Sequence, residues 1–566
     1  MGRTSGGSAP RLIRSERIEM RLGENPWEVA AVKNLATGCT AAAGAEHSLI
    51  IRLASRISDP IFLTHLISVD EIEGGLRINA ADAAGSCTAR LEITPCAEGL
   101  RFDAEVTASE PVWMAEWKIT GLDLRSVIVP GLGGQALGRG MPPGTSLAYK
   151  YPFWWNAQFL VGEAERGGVW LRTMDAGPRF RLARVKRTAA GFDVSYGFEA
   201  DAPLVSPVLS ATWYLDCYRG SWRVPVEVHR AWMEQAFALT PLERRRDVPG
   251  WARTITAVLE IWGIGKDSPR PLHTFGEMEE RLRAWANLHP PDRTLLYLPG
   301  FAGQGIDSCA PDYTPAAALG GEAGFRSLLT LARTMGFRTM VHTNVLALTF
   351  DHPLFERFRE HRVVDAFGRV QGWGLDIDGD WLAEPYFAYV NPGAREWGDL
   401  MTRVIGTLVT AYPVDAVFLD QTLLAFNVSR GPNFVRGMRE HIRRLANEFP
   451  GVLFAGEGLH EQVAEVLPMA QIHGIDSIAE VHGAEGRTPW RTVHPVSTHL
   501  FGRYTVYTPH LLTRHPAHPM FPLQEASYRK LGIMPALCLY NHDQKMALPA
   551  VRTMLARAGG RRKRRP

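Results

Sequence analysis

The chain has 566 residues, too many for one ordinary domain of roughly 100–200 residues. With 46% hydrophobic, 21% charged and 10% aromatic residues it is neither disordered nor fibrous. Its 62 basic and 59 acidic groups leave +3, and five cations sit in the terminal run Arg561, Arg562, Lys563, Arg564 and Arg565. The body of the chain is therefore close to neutral, and no nucleic-acid partner is expected. The six cysteines are scattered with no CxxC pair, which predicts reduced thiols in a reducing compartment. The first twenty residues carry charge but no apolar signal core, and no stretch approaches 18 uninterrupted apolar residues. A cytoplasmic protein with no membrane contact is the expectation, with oligomeric state open.

Residues 15–225 carry short alternating runs at Leu76–Ala80, Thr88–Ile93, Leu100–Val106, Gly167–Arg172 and Phe192–Tyr196. Period-two patterning at short spacing predicts an N-terminal antiparallel β-sandwich. Trp154 and Trp155 from this part are expected to fill the seam between domains. A helix over Val226–Met233 opens a connection spanning 226–250.

Over 251–552 the rhythm becomes strand then helix. The strands are expected at 254–262, 294–299, 339–346, 415–420 and 452–457, with weaker ones at 476–482, 504–508 and 533–540. Trp397, Leu400, Met401, Val404, Ile405 and Leu408 keep the three-four spacing of a buried helical stripe, as do Phe434, Val435, Met438, Ile442 and Leu445. Eight such units over roughly 300 residues predict a (β/α)8 TIM barrel. The whole is a multidomain protein, β followed by α/β, ending in a basic tail over 553–566. A doubly wound open sheet is the alternative. No phosphate loop or GxGxxG follows a strand, so no nucleotide cofactor is expected.

Barrel enzymes place catalytic groups where strands end, and two predicted strands end abruptly in acids. Val414–Thr422 runs apolar into Asp420, and Val452–Gly458 runs apolar into Glu457. Either acid alone is equally an ordinary cap or ion-pair partner. Together, on consecutive strands about 4.8 Å apart, they suit the carboxyl pair of a retaining glycosidase, about 5–5.5 Å apart. Asp420 is then the nucleophile, and Glu457 the proton donor, kept protonated by an apolar wall.

Trp262, Tyr297 and Phe301 near the first two strand ends offer rings for stacking on a sugar, or are simply core. His342 and Asn344 near the third strand's end are candidates for binding hydroxyls, although a packed, satisfied histidine is the plainer reading of His342. Gln421 and His482 belong to the same ring of loops. No metal is expected. Asp376, Asp378 and Asp380 imitate the start of a calcium loop, but its twelfth position is Phe387, and His510, His515 and His518 lack zinc-like spacing. The excursion at 361–380, a hairpin turning at Asp365–Gly368, is expected to wall the pocket.

Tyr151-Pro152-Phe153-Trp154-Trp155, Asn391-Pro392 ahead of Trp397, Phe418-Leu419-Asp420-Gln421 and Ala455-Gly456-Glu457-Gly458 carry a resemblance. They are similar to a poorly characterised bacterial glycosidase-like family, and more distantly to endo-α-N-acetylgalactosaminidases and the α-galactosidase clan. The likeness runs over most of residues 15–540. It implies a sandwich followed by a barrel, an α-linked carbohydrate substrate and no cofactor, with Asp420 as nucleophile and Glu457 as donor. The α-galactosidase clan donates from a later strand, which nominates Asp476 or Glu480 instead. Two other readings stay open: a carbohydrate-binding barrel without catalysis, and a different barrel hydrolase or lyase.

Overall fold

The computed structural model describes residues 11–23, 28–42, 49–265, 270–373, 387–473, 489–510, 521–540, 546 and 548–560. The chain divides into two compact units, one of Met1–Ala236 with Pro489–Thr492 and one of Phe237–Thr488 with Val493–Pro566.

The first unit is antiparallel β. It holds a four-stranded sheet over residues 12–42, a six-stranded sheet and a ten-stranded sheet whose edge strand is Arg491–Val493. Every alternating run named above lies in one of these strands. The two larger sheets share one core, because period-two alternation gives each an apolar face that must be covered. Phe102 of the ten-stranded sheet meets Trp117 of the six-stranded one with ring centroids 4.2 Å apart. Trp213 Nε1 donates to Tyr196 O at 2.8 Å across the same gap. Trp155 does not fill a seam. It is fully buried in this core, its edge on Tyr196 and its Nε1 donating to Phe159 O. The helix α1 (Arg223–Ala236) closes this unit.

The second unit is a parallel barrel of β1 (Ala257–Ile261), β2 (Thr294–Leu298), β3 (Arg338–Asn344), β4 (Ala416–Asp420), β5 (Leu453–Gly456), β6 (Met469–Ile472), β7 (Val506–Pro509) and β8 (Ala536–Leu539). Strands neighbour one another in chain order from β1 to β7, and β8 pairs with β1, so the sheet curls round on itself. Among the described residues no ladder joins β7 to β8. The expected TIM barrel is thus present. One strand differs: β6 is the four-residue run at 469–472, and the segment expected to form it, 476–482, lies outside the described residues.

Helices α2 (Phe275–Ala286), α3 (Gly321–Met335), α4 (Arg395–Ala411) and α5 (Phe434–Glu448) bury the stripes their spacing dictates. Two have side-chain caps: Thr274 and Glu277 close a reciprocal capping box on α2, and Asn433 accepts from Arg436 N–H on α5. Trp397 of α4 donates Nε1–H to Val345 O at 2.9 Å, tying its helix to the end of β3. The hairpin expected after residue 361 is present. Asp365 N–H donates to Arg369 O, and Gly368 takes φ +78 at the turn. The acidic loop Asp376–Asp380 lies outside the described residues. No described helix is long and apolar enough to cross a membrane.

Candidate active site

The chemistry at the barrel mouth follows from strand parity. Val258, Tyr297, Met340, Phe418 and Ala455 belong to one hydrophobic core inside the barrel. Successive side chains alternate faces, so the residue two positions later points the same way, one layer nearer the C-terminal end. Two steps on from Val258, Met340, Phe418 and Ala455 are Glu260, His342, Asp420 and Glu457. Apolar strands that run out in these residues therefore line their mouth with them.

Five residues from four segments form one hydrogen-bonded group. His342 Nε2 lies 3.2 Å from Asp307 Oδ1, and His342 Nδ1 lies 2.7 Å from Tyr297 Oη. A carboxylate only accepts, so Nε2 carries the proton and Nδ1 accepts from the tyrosine hydroxyl. Burial, with Glu260, Asp420 and Asp307 nearby, pushes the Tyr297 phenol far above its ordinary value and keeps it a donor. Asn344 Oδ1 accepts from Leu346 N–H and Ala347 N–H, both at 2.9 Å, which fixes the amide. Its Nδ2 then donates to Asp307 Oδ2 at 3.0 Å and to Asp420 Oδ2 at 3.3 Å. Val345 N–H donates to Asp420 O, so β3 and β4 reach the mouth in step.

Glu457 is held differently. Its Oε2 accepts from Gln421 N–H at 2.9 Å. Its Oε1 lies 3.1 Å from His473 Nε2 and 3.6 Å from His510 Nε2. Burial alone would raise this carboxyl; His473 first, then His510, more than reverse that and hold it well below the usual range. The wall is two imidazoles rather than the apolar surface expected. Gly456 allows the approach, since a Cβ there would sit 2.4 Å from Thr422 Oγ1.

Four non-glycine residues are left-handed among the described residues, and two are here: Asp307 at φ +57 and Gln421 at φ +64. Each costs about 1–2 kcal/mol. Such strain collects where backbone is held for a purpose. Gln421, 2% exposed, turns its N–H to Glu457 and its Nε2 to Tyr389 Oη at 3.3 Å.

The site therefore brings together Tyr297, His342, Asn344 and Asp420, and joins Gln421 to Glu457. His342 is a satisfied, buried histidine with both nitrogens engaged. Trp262 stands apart, 4% exposed, donating Nε1–H to Glu260 Oε1 at 2.6 Å with its edge on Tyr540. Phe301 packs face to face on Phe325 of α3, ring centroids 4.9 Å apart, and lines a small pocket with Asp307, Cys309 and Tyr313. Asp476, Glu480 and His482 lie outside the described residues.

Sequence reasoning missed Asp307, Glu260, His473 and His510. Asp307 follows the glycine-rich run Gly300–Gly305 after β2, which was its only signal. Glu260 hides inside an apolar strand, and burial pushes its carboxyl up to about 7 against hydrogen bonds from Trp262 and Cys538. His473 follows a strand of only four residues, too short to show a period, and His510 has no ligand spacing along the chain.

No family model and no curated protein matches the chain. Solved structures do. The α-N-acetylgalactosaminidase of Bifidobacterium bifidum in its GalNAc complex aligns over 97% of this chain and 92% of its own, at 13% identity and TM-score 0.75. The same enzyme with Gal-NHAc-DNJ aligns over the same shares at 12% identity and TM-score 0.74. A GH36 α-galactosidase variant from Geobacillus stearothermophilus, with raffinose, aligns over 98% of this chain and 86% of its own, at 10% identity and TM-score 0.51. The chain shares its fold with α-glycosidases. At such identities the likeness is one of architecture, and the sandwich-plus-barrel plan that the sequence resemblance implied is the plan these neighbours have.

Proposed function

We propose that the protein is a glycoside hydrolase acting on an α-linked sugar, with Asp420 as a nucleophile that retains configuration. The observation that carries this reading is Asp420 itself: a carboxylate ending β4 at the mouth, aimed by Asn344 Nδ2 and flanked by the strained Gln421. The Asp420 carboxylate attacks the anomeric carbon while an acid protonates the departing oxygen. Water then breaks the glycosyl ester, giving its proton to that same residue. Two of the structural neighbours are complexes with GalNAc and with raffinose, which makes α-glycosides of galactose configuration the first substrates to try.

Glu457 suits a fixed anionic role better than proton delivery, because both its oxygens are engaged, Oε2 by a backbone N–H and Oε1 by two imidazoles. We therefore move the acid/base role to Asp476 or Glu480. The test is a screen of aryl α- and β-glycosides with Asp420→Asn as control. Turnover of an α-glycoside with retained product configuration, abolished in that variant, supports the reading. Absence of turnover at any pH between about 4 and 8 overturns it, and sugar binding by the wild-type chain with no turnover favours a carbohydrate-binding module.

A further inference from the structure

Three side chains that no sequence spacing connects meet at the ends of consecutive strands. Glu457 follows β5, His473 follows β6 and His510 follows β7. Both Nε2 atoms converge on the same oxygen, Glu457 Oε1, at 3.1 and 3.6 Å. One donor atom from each of the three lies within 4.8 Å of the others. Ligand atoms about 2.1 Å from a tetrahedral ion stand about 3.4 Å apart, and the two separations fall either side of that edge. The imidazole centroids are 4.4 Å apart with 55° between the planes, so the rings are inclined rather than stacked and can face a common point. The carboxylate is braced from behind: Gln421 N–H occupies Oε2 and leaves Oε1 to the cluster.

We propose that Glu457, His473 and His510 form a binding site for a divalent transition-metal ion of the zinc class. Two imidazoles and one carboxylate are the donors of a three-ligand site that keeps a position open, whereas calcium and magnesium call for oxygen alone. The side chains are 13%, 19% and 10% exposed, which leaves that position accessible to water or to a substrate oxygen. A second triad, Asp307, His342 and Asp420, has donors equally close. Its atoms are committed within the protein, since Asn344 Nδ2 bridges the two carboxylates and His342 binds Tyr297 and Asp307. The geometry favours the first.

The experiment uses the full-length chain without a histidine tag, stripped with EDTA and titrated with zinc chloride by calorimetry, with metal content read after gel filtration. The expected result is one zinc per chain, with affinity lowered at least about 100-fold in a His473→Ala/His510→Ala variant and unchanged in His342→Gln. No zinc retained by the wild-type chain, or equal uptake by the double variant, overturns the proposal. If the double variant does not fold, Glu457→Gln and the visible spectrum of the cobalt-loaded wild-type chain replace it. A cobalt spectrum unaltered by Glu457→Gln also overturns it. None of these measurements involves substrate, so failure of the hydrolase reading and failure of this one are separable.

Discussion

Strands β1 and β5 each bring a largely buried glutamate toward the barrel mouth on the same side-chain parity, yet their surroundings shift the two carboxyls in opposite directions. Glu260 sits in register with Tyr297 on one side and Cys538 on the other, and its Oε1 accepts from Trp262 Nε1. Those neighbours are neutral, so burial dominates and its carboxyl titrates at about 7. Glu457 meets His473 and His510 from the next two strands and is held ionised. Residue type and side-chain parity are the same. What differs is the side chain that the adjacent strands supply, and Asp420 and Asn344 lie on the β3–β4 side of the mouth, in register with each other.

The sharpest test of this asymmetry is on the charged side. Asp420→Asn should lower kcat on an activated aryl α-glycoside by about 1000-fold or more, measured against wild type. Glu457→Gln should cost about 100-fold and by the same factor for good and poor leaving groups, because its partners act on binding rather than on the departing oxygen. A variant of the true donor, Asp476→Asn or Glu480→Gln, should instead lose activity only on poor leaving groups. If Glu457→Gln shows that selective loss, the acid/base role returns to Glu457 and the contrast between the two glutamates fails.

On the neutral side the readout is stability. Glu260 has a folded-state pKa raised to about 7 from an ordinary 4.5, so the folded chain holds a proton that the unfolded chain releases. Stability therefore falls as pH rises from about 4.5 to about 7 and is level above, by up to about 3 kcal/mol. Glu260→Gln should remove that slope, seen as a difference in urea midpoints between variant and wild type that changes across this window. On the same side, Thr274→Ala removes the capping box of α2 and should cost about 1 kcal/mol while leaving activity unchanged, checked by the same urea titration and a rate assay.

Much of the barrel was legible because its signals are local. β4 and β5 announce themselves as apolar runs cut off by Asp420 and Glu457, and the stripes Trp397–Leu408 and Phe434–Leu445 state the faces that α4 and α5 bury. β6 was not legible. Its four residues, Met469-Ala470-Gln471-Ile472, are too short to show a period, and the longer run at 476–482 drew the assignment away. That displacement concealed His473. His510 was passed over for a different reason: a ligand spacing rule counts residues along the chain, whereas its partners come from other strands. Trp155 shows the same limit, since an aromatic pair reads alike whether it faces a neighbour or, as here, its own core.

By itself, then, the sequence determined the alternation of strands and helices, the sandwich ahead of the barrel and the positions where apolar strands end in acids, because each depends on residues a few positions apart. Only the tertiary structure decided that the Glu260 carboxyl is pushed up to about 7 by burial while Glu457 is held ionised by its neighbours. It also brought Asp307 to His342, and His473 and His510 to one oxygen of Glu457. Those outcomes depend on which strands lie side by side and at what register, and the field at a carboxylate is set by groups within a few ångströms in space, however far away they are in the chain.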